Sequence, residues 1–460
     1  MTRKSCGIYA TGIIAAHLLI VGIALMVADV FPRLITKQLK GAITLTEGSK
    51  VFDSWKNPPP PVFMEFFFFN VTNSDAFLEG TEKPRVVEVG PYCYREYRPK
   101  ENVTFVENGT KVAALTPKTF VFVPGEITQG NFFFAPMVKV WMKTTGGIFT
   151  TRSVSDLLWG YEDPLLKRVS GLKKSIEKDF GFMIHKNGSH DGEFVYHTGE
   201  ADYMDYGRVD TWKGERKLTF WSSNYSNLIQ GSDGSAFHPY LTKEERLNIF
   251  TPDLCRSIYM EFEKDVDVKG IPGYRFTPPR SVMASVKENP DNEGFCSPPG
   301  KCLGSGVLKV AVCKKGAPVV VSFPHFYLGE TDYINAIDGI SPVREHHQTY
   351  VDLNPTTGIL IRASKRAQSL RFCALPSILL ILVQTVVIDD VSAARLHKLL
   401  LIANIASNFP IFIIALGGLL LVILLILIIR LRKRKSQVKR FDFSEAYRYF
   451  PVNPNLVSNI

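Results

Sequence analysis

Apolar positions along this chain fall into three patterns. The first is a long unbroken run near each end. Residues 7–28 carry no formal charge, and residues 409–429 contain no ionisable group at all. With about 1.5 Å of rise per residue, each run spans roughly 30 Å as a helix, the thickness of a bilayer's hydrocarbon core. A cleaved signal peptide has a shorter apolar region, of about 7–15 residues, followed by a small-residue cleavage site. The first run is longer and has no such site before Asp29, so an uncleaved anchor is expected over residues 7–29. His17 sits inside it and is read as neutral, facing a neighbouring helix or lipid.

The second pattern is the short dense run. Val62–Val71 (VFMEFFFFNV), 306–312 and 318–323 are rich in aromatic and branched residues and predict buried strands. Tyr350–Leu353 and 359–362 flank the turn Asn354-Pro355-Thr356-Thr357-Gly358 and predict a hairpin. Helical signals are fewer. Asp156-Leu157-Leu158-Trp159 opens one helix, and Thr242-Lys243-Glu244-Glu245 reads as the capped start of another. The third pattern is ambiguous: residues 372–388 are apolar but broken by Pro376 and Gln384, and Asp389-Asp390 bounds them. A third span here would carry the basic tail to the outside, so the run is expected to be a buried strand.

Charge then fixes an orientation. The formal net charge is +10, but the excess lies at the ends. Arg3 and Lys4 precede the first run. Beyond Ile429 come eight basic and two acidic residues, starting with Arg430, Arg432, Lys433, Arg434 and Lys435. The middle is nearly neutral, which argues against nucleic acid as a partner, because such domains carry their charge on the binding face. Basic flanks stay cytosolic. The expected layout is a cytosolic N-terminus (1–6), a first transmembrane helix (7–29), a luminal or extracellular domain (30–408), a second transmembrane helix (409–429) and a basic cytosolic tail (430–460).

Candidate chemistry is sparse. Cys6 lies at the cytosolic edge of the first span, where palmitoylation is one option and an idle thiol the other. Cys255, Cys296, Cys302 and Cys313 cluster in the outside segment, where disulfides are commoner than metal. A zinc set of Cys296, Cys302, Cys313 and His325 lacks the paired spacing of structural sites. Asn-x-Ser/Thr sequons occur at Asn70, Asn102, Asn108, Asn187 and Asn224, all in the outside segment. No nucleophile elbow, zinc-protease helix or phosphate loop is present, and His346-His347 reads as a surface pair, so no enzyme, cofactor or metal is expected. In the tail, Tyr447 precedes Phe450 by three residues, a spacing read by the adaptors that sort cargo to endosomes.

Several strings resemble the class B scavenger receptor (fatty-acid translocase) family. They include Phe67-Phe68-Phe69-Asn70-Val71-Thr72-Asn73, Gly90-Pro91-Tyr92-Cys93-Tyr94-Arg95-Glu96 and Leu157-Leu158-Trp159-Gly160-Tyr161-Glu162-Asp163-Pro164. Cys255-Arg256-Ser257-Ile258-Tyr259, Gly270-Ile271-Pro272-Gly273-Tyr274-Arg275-Phe276 and Ser322-Phe323-Pro324-His325-Phe326 belong with them. The string from Gly294 through Leu308 is most similar to the family's lysosomal integral membrane member. The resemblance implies a membrane-anchored, β-rich α+β protein whose antiparallel, barrel-like outside domain carries a small helical cap and an apolar tunnel. It implies as partners fatty acid, cholesterol or phospholipid, and lipoproteins; residence in lysosomal or endosomal membranes with passage through the cell surface is expected from the Tyr447–Phe450 spacing of the tail. It also implies disulfides Cys255–Cys313 and Cys296–Cys302, with Cys93 and Cys373 either free or joined to each other.

Three departures from the family pattern stand out. Only about twenty residues separate Gly130 from Thr151, where the family carries a longer helical cap, so escort of a lysosomal hydrolase transfers to no residue here. The apolar run 372–388 replaces the family's strand pattern after Arg366. Ser226 stands where relatives place a cysteine, and Gln230-Gly231-Ser232 replaces a common sequon. Two other readings share the two-span layout. One is a trimeric ligand-gated channel, though beside Gly417-Gly418 residues 409–429 offer only apolar groups, so a water-filled pore has no lining. The other is a two-anchor ectoenzyme, which lacks a recognisable catalytic motif.

Overall fold

The computed structural model of the chain describes residues 3–123, 137–144, 147–172, 177–314, 316–317, 319–373 and 375–449. It divides into two compact units, one formed by Met1–Leu39 with Lys398–Ile460 and the other by Lys40–His397.

The first unit is helical. Arg3–Val27 forms one helix, and Val30–Ile43 follows it after a turn. The second apolar run lies within one 60-residue helix, Asp390–Tyr449. This helix begins 19 residues before the 409–429 run, and its first turns, through His397, belong to the second unit, with Ala393 and Leu396 buried. Both helices show apolar side chains to their surroundings, among them Ile13, Ile20, Phe412, Leu416 and Val422. Where they meet, the residues are small. A Cβ built on Gly22 would lie 2.7 Å from Ile414, and one on Gly417 would lie 2.9 Å from Leu19, with Ala15 fully buried between. Small residues let two helix backbones approach closely, the usual way of packing helices where lipid removes any hydrophobic drive between them.

The second unit is built on a large antiparallel sheet. From one edge to the other, the strands are Leu247–Thr251, Arg256–Val268, Ile271–Thr277, Tyr350–Leu353, Leu360–Cys373, Leu375–Val387, Val62–Val71, Val86–Tyr97 and Thr119–Phe122. Val319–Ser322 joins Leu360–Cys373 as a branch and carries Val307–Lys309 in turn. Among the described residues the two edge strands do not pair, so the sheet stays open and no closed barrel forms. Glu101–Val106, Lys111–Leu115, Phe194–His197 and Val209–Trp212 make a separate four-stranded sheet.

The ambiguous run 372–388 is the strand Leu375–Val387, held between Leu360–Cys373 and Val62–Val71. Its uniform apolarity has a packing cause. Phe66, Phe68 and Leu380 enter one apolar cluster with Tyr92, Leu157 and Leu158, whereas Phe69, Ile381 and Val383 enter another with Phe326 and Ile337. A strand covered on both faces has no polar side to alternate with, and it then reads like a membrane span.

Other expectations are corrected. Thr242–Glu245 starts no helix: the Glu245 carboxylate does accept the Thr242 N–H, but the chain runs on into the strand Leu247–Thr251. The short helix Val154–Trp159 does form, capped by Ser153, whose Oγ accepts from Asp156 N–H. In the region of the expected helical cap, Met137–Thr144 and Gly147–Ser153 make a two-stranded hairpin, and 124–136 lie outside the described residues. A disulfide between Cys93 and Cys373 is excluded by register. Cys93 lies opposite Glu65, which lies opposite Val383, which lies opposite Arg366, seven residues from Cys373. Three strand spacings of about 4.8 Å and seven residues of about 3.3 Å far exceed the Cα separation a disulfide spans, about 7 Å at most.

Candidate functional site

One disulfide, Cys296–Cys302, lines a concave feature, and a second, Cys255–Cys313, adjoins Arg256 on its wall. Cys255–Cys313 ties the start of the long strand Arg256–Val268 to the turn Ala311–Cys313, with a Cα–Cα distance of 6.4 Å. Cys296–Cys302 closes the Ser-Pro-Pro-Gly-Lys loop, with a Cα–Cα distance of 4.6 Å. All four cysteines of the cluster are thereby engaged in disulfides. Beside the Cys296–Cys302 disulfide lies a small cleft of about 40 Å³, open to solvent. Its floor is apolar, with Val282, Met283, Phe295, Leu303 and Leu308.

The scaffold under this floor is polar and fully bonded. Asn292 Nδ2 donates to the carbonyls of Ser281 and Ala284, joining the turns Arg280–Met283 and Pro290–Phe295. Ser305 Oγ accepts from Ser285 N–H and donates to Glu288, which also takes both Nε and Nη2 of Arg280. The Arg280 bonds, then that of Ser305, hold the Glu288 carboxyl down at about 2. Trp221 packs edge-on against Phe295 at 5.1 Å and donates its ring N–H to the Cys255 carbonyl at 2.6 Å.

The charge on the walls is one-sided. Arg256, Lys301 and Lys309 line the cleft, and no carboxylate does so among the described residues. Arg256 is only 5 % exposed, and its guanidinium carbon stands 3.5 Å above the centre of the Phe295 ring. Its Nε donates to the Ser257 carbonyl. Burial pulls its pKa down to about 10, which leaves it charged at neutral pH.

Two polar clusters lie elsewhere in this unit. Lys100 is buried over the Trp55 ring at 4.6 Å and donates to the Trp55 carbonyl, and burial brings it down to about 8. Burial pushes the nearby Asp233 carboxyl up, but the Lys100 charge and bonds from Ser235 outweigh it, so the carboxyl lies below its ordinary value. The second cluster corrects the surface reading of the histidine pair. His346 is exposed, but His347 is buried and stacks on His325 with ring centres 4.3 Å apart and planes 9° from parallel. His325 Nδ1 accepts from Ser341 N–H and its Nε2 is 2.7 Å from Glu88; His347 Nδ1 accepts from Val343 N–H.

The other sequence candidates are scattered. Asn102, Asn108, Asn187 and Asn224 are exposed, and Asn70 is half-buried on the strand Val62–Val71. Asn187 and Asn224 use their side-chain oxygens, accepting from Phe120 N–H and Lys217 Nζ respectively. The side chains of Cys6 and Tyr447 lie outside the described residues, as does Phe450; the backbone at Tyr447 is helical, not extended. The sequence had marked the strings Cys255-Arg256-Ser257 and Gly294 through Leu308 as motifs, but that Arg256 meets Lys301 and Lys309 at one cleft depends on the fold.

Comparison with known proteins covers nearly the whole chain. A sequence model of the CD36 family matches residues 13–428. Lysosome membrane protein 2 from Homo sapiens is 38% identical, across 90% of this chain and 93% of its own length. The protein of the same name from Rattus norvegicus is 37% identical over the same shares. Scavenger receptor class B member 1 from Cricetulus griseus is 32% identical, across 78% of this chain and 74% of its own length.

Proposed function

The chain belongs to the CD36 family and is a class B scavenger-receptor-like membrane protein; on that premise we propose that it binds lipid or lipoprotein through the domain between its two apolar helices and passes lipid along an apolar tunnel towards the bilayer. It acts as a receptor and carrier, not as an enzyme. Both termini are cytosolic, the intervening domain is luminal or extracellular and glycosylated at the five sequons, and the protein moves between lysosomal or endosomal membranes and the cell surface.

The observation that carries this reading is the pairing of two lipid-compatible helices with one large β-rich unit in a chain that aligns along 90% of its length with a lysosomal membrane protein. Its logic is physical: a lipid that must cross water needs an apolar enclosure, and a domain tethered at both ends keeps that enclosure beside the membrane. The test is lipid co-purification. Full-length protein extracted in a neutral detergent should carry tightly held lipid that survives exchange into fresh detergent, in amounts near one molecule per chain. Lipid content no higher than that of an unrelated two-helix membrane protein handled identically would overturn it.

A further inference from the structure

We propose that the cleft beside the Cys296–Cys302 disulfide is a binding site for the oxyanion headgroup, carboxylate or phosphate, of an acyl lipid, with Arg256 as the residue that grips it. The proposal deepens the lipid-binding reading by naming which end of the ligand is recognised and where.

Arg256 carries the argument. A buried guanidinium normally has a carboxylate partner, because leaving it unpaired forfeits its solvation without return. Here the bond from Nε to the Ser257 carbonyl and the stack on Phe295 are its contacts, and among the described residues nothing accepts from its two terminal nitrogens. Those two nitrogens form the fork that matches a carboxylate or phosphate in a bidentate pair, and stacking on an aromatic ring fixes the fork's plane in advance. Glu288 in the scaffold is committed to Arg280 and Ser305. Glu330 accepts from Ser305 N–H.

The walls add two further features of such a site. Lys301 is exposed and Lys309 half-buried, and neither has an ion pair among the described residues. They raise the local positive potential without competing for geometry. Beside them, Val282, Met283, Leu303 and Leu308 offer an apolar surface that a bare phosphate has no use for and the first carbons of an acyl chain would cover.

The experiment uses the full chain in neutral maltoside micelles and follows binding by tryptophan fluorescence, with Trp221 two rings away from the ligand. The probes are sodium dodecanoate, dodecyl phosphate, dodecanol and inorganic phosphate. The two anionic amphiphiles should bind roughly tenfold or more tighter than dodecanol, as charge-assisted bonds require. That preference should vanish in Arg256→Gln and fall several-fold in Lys301→Ala/Lys309→Ala, with a weaker dependence on salt. Inorganic phosphate binding as tightly as dodecyl phosphate supports the oxyanion site and assigns it to free phosphate; much weaker binding assigns it to a lipid headgroup. Should Arg256→Gln fail to fold, the lysine pair decides, since both side chains reach solvent. Equal affinity for dodecanol and the anions in the native protein, or a preference that both variants keep, overturns the proposal. Either result leaves lipid co-purification untouched, so the two readings fail separately.

Discussion

His347 shows how neighbours decide what a residue can do. Burial, then the adjacent His325, pulls its pKa down to about 4, while Glu88 acts the other way and His346 and Arg366 add to the fall. Its Nδ1 already accepts the Val343 N–H, so a proton there would set two N–H groups against each other. An unfolded histidine titrates near 6.5. Between about 6.5 and 4 the unfolded chain therefore binds more protons than the folded one. The stability from this residue is complete above pH 6.5 and is lost as the pH falls through that window, by up to about 3 kcal/mol. Thermal unfolding at pH 7 and pH 4.5 should show a smaller difference for His347→Gln than for the native chain. Equal differences would mean that other groups set the acid response.

At the scale of elements, the same apolar text produced two outcomes. Residues 409–429 lie in a helix whose side chains face outward, and Leu375–Val387 is a strand covered on both sides. Each run has a proline, Pro376 in the strand and Pro410 in the helix, but only the strand carries polar side chains, Gln384 near its end among them. The pairing of the two long helices rests on Gly22, Gly417 and Ala15. A leucine at Gly22 or Gly417 would need the space that Ile414 or Leu19 fills and should push the helices apart. In a background carrying Gly12→Cys and Leu424→Cys, whose native residues approach within 3.3 Å of a built Cβ, a short bismaleimide should crosslink efficiently. Adding Gly417→Leu should reduce that crosslink several-fold; an unchanged yield would show that the small residues do not hold the pair together.

For the whole molecule, the decisive prediction is topology. An endoglycosidase should increase the mobility of the full-length protein, and replacing the five sequon asparagines by glutamine should abolish the shift. An epitope after Ile460 should be reached by antibody only in permeabilised cells. Staining of that epitope on intact cells would refute cytosolic termini. In the same cells, Tyr447→Ala should raise the surface fraction several-fold if the tail carries the sorting signal; because Tyr447 lies in a helix, reading by an adaptor would require that last turn to unwind.

The sequence by itself determined the features that depend on neighbouring residues. Uninterrupted apolarity marked the two candidate spans, basic flanks supplied an expected direction, and dense aromatic runs marked strands such as Val62–Val71. It did not specify where those strands end up. A barrel-like domain was expected, and among the described residues its sheet is open at both edges, because closure depends on whether two edge strands far apart in the chain meet. The capping pattern at Thr242–Glu245 was correct as a local bond and wrong as a helix, since pairing with Arg256–Val268 took the following residues into the sheet. Only the tertiary structure brought Arg256, Lys301 and Lys309 to one cleft and stacked His347 on His325 opposite a carboxylate 237 residues away from the latter. Charge and burial at such points are set by contacts between distant segments, and no window along the chain contains them.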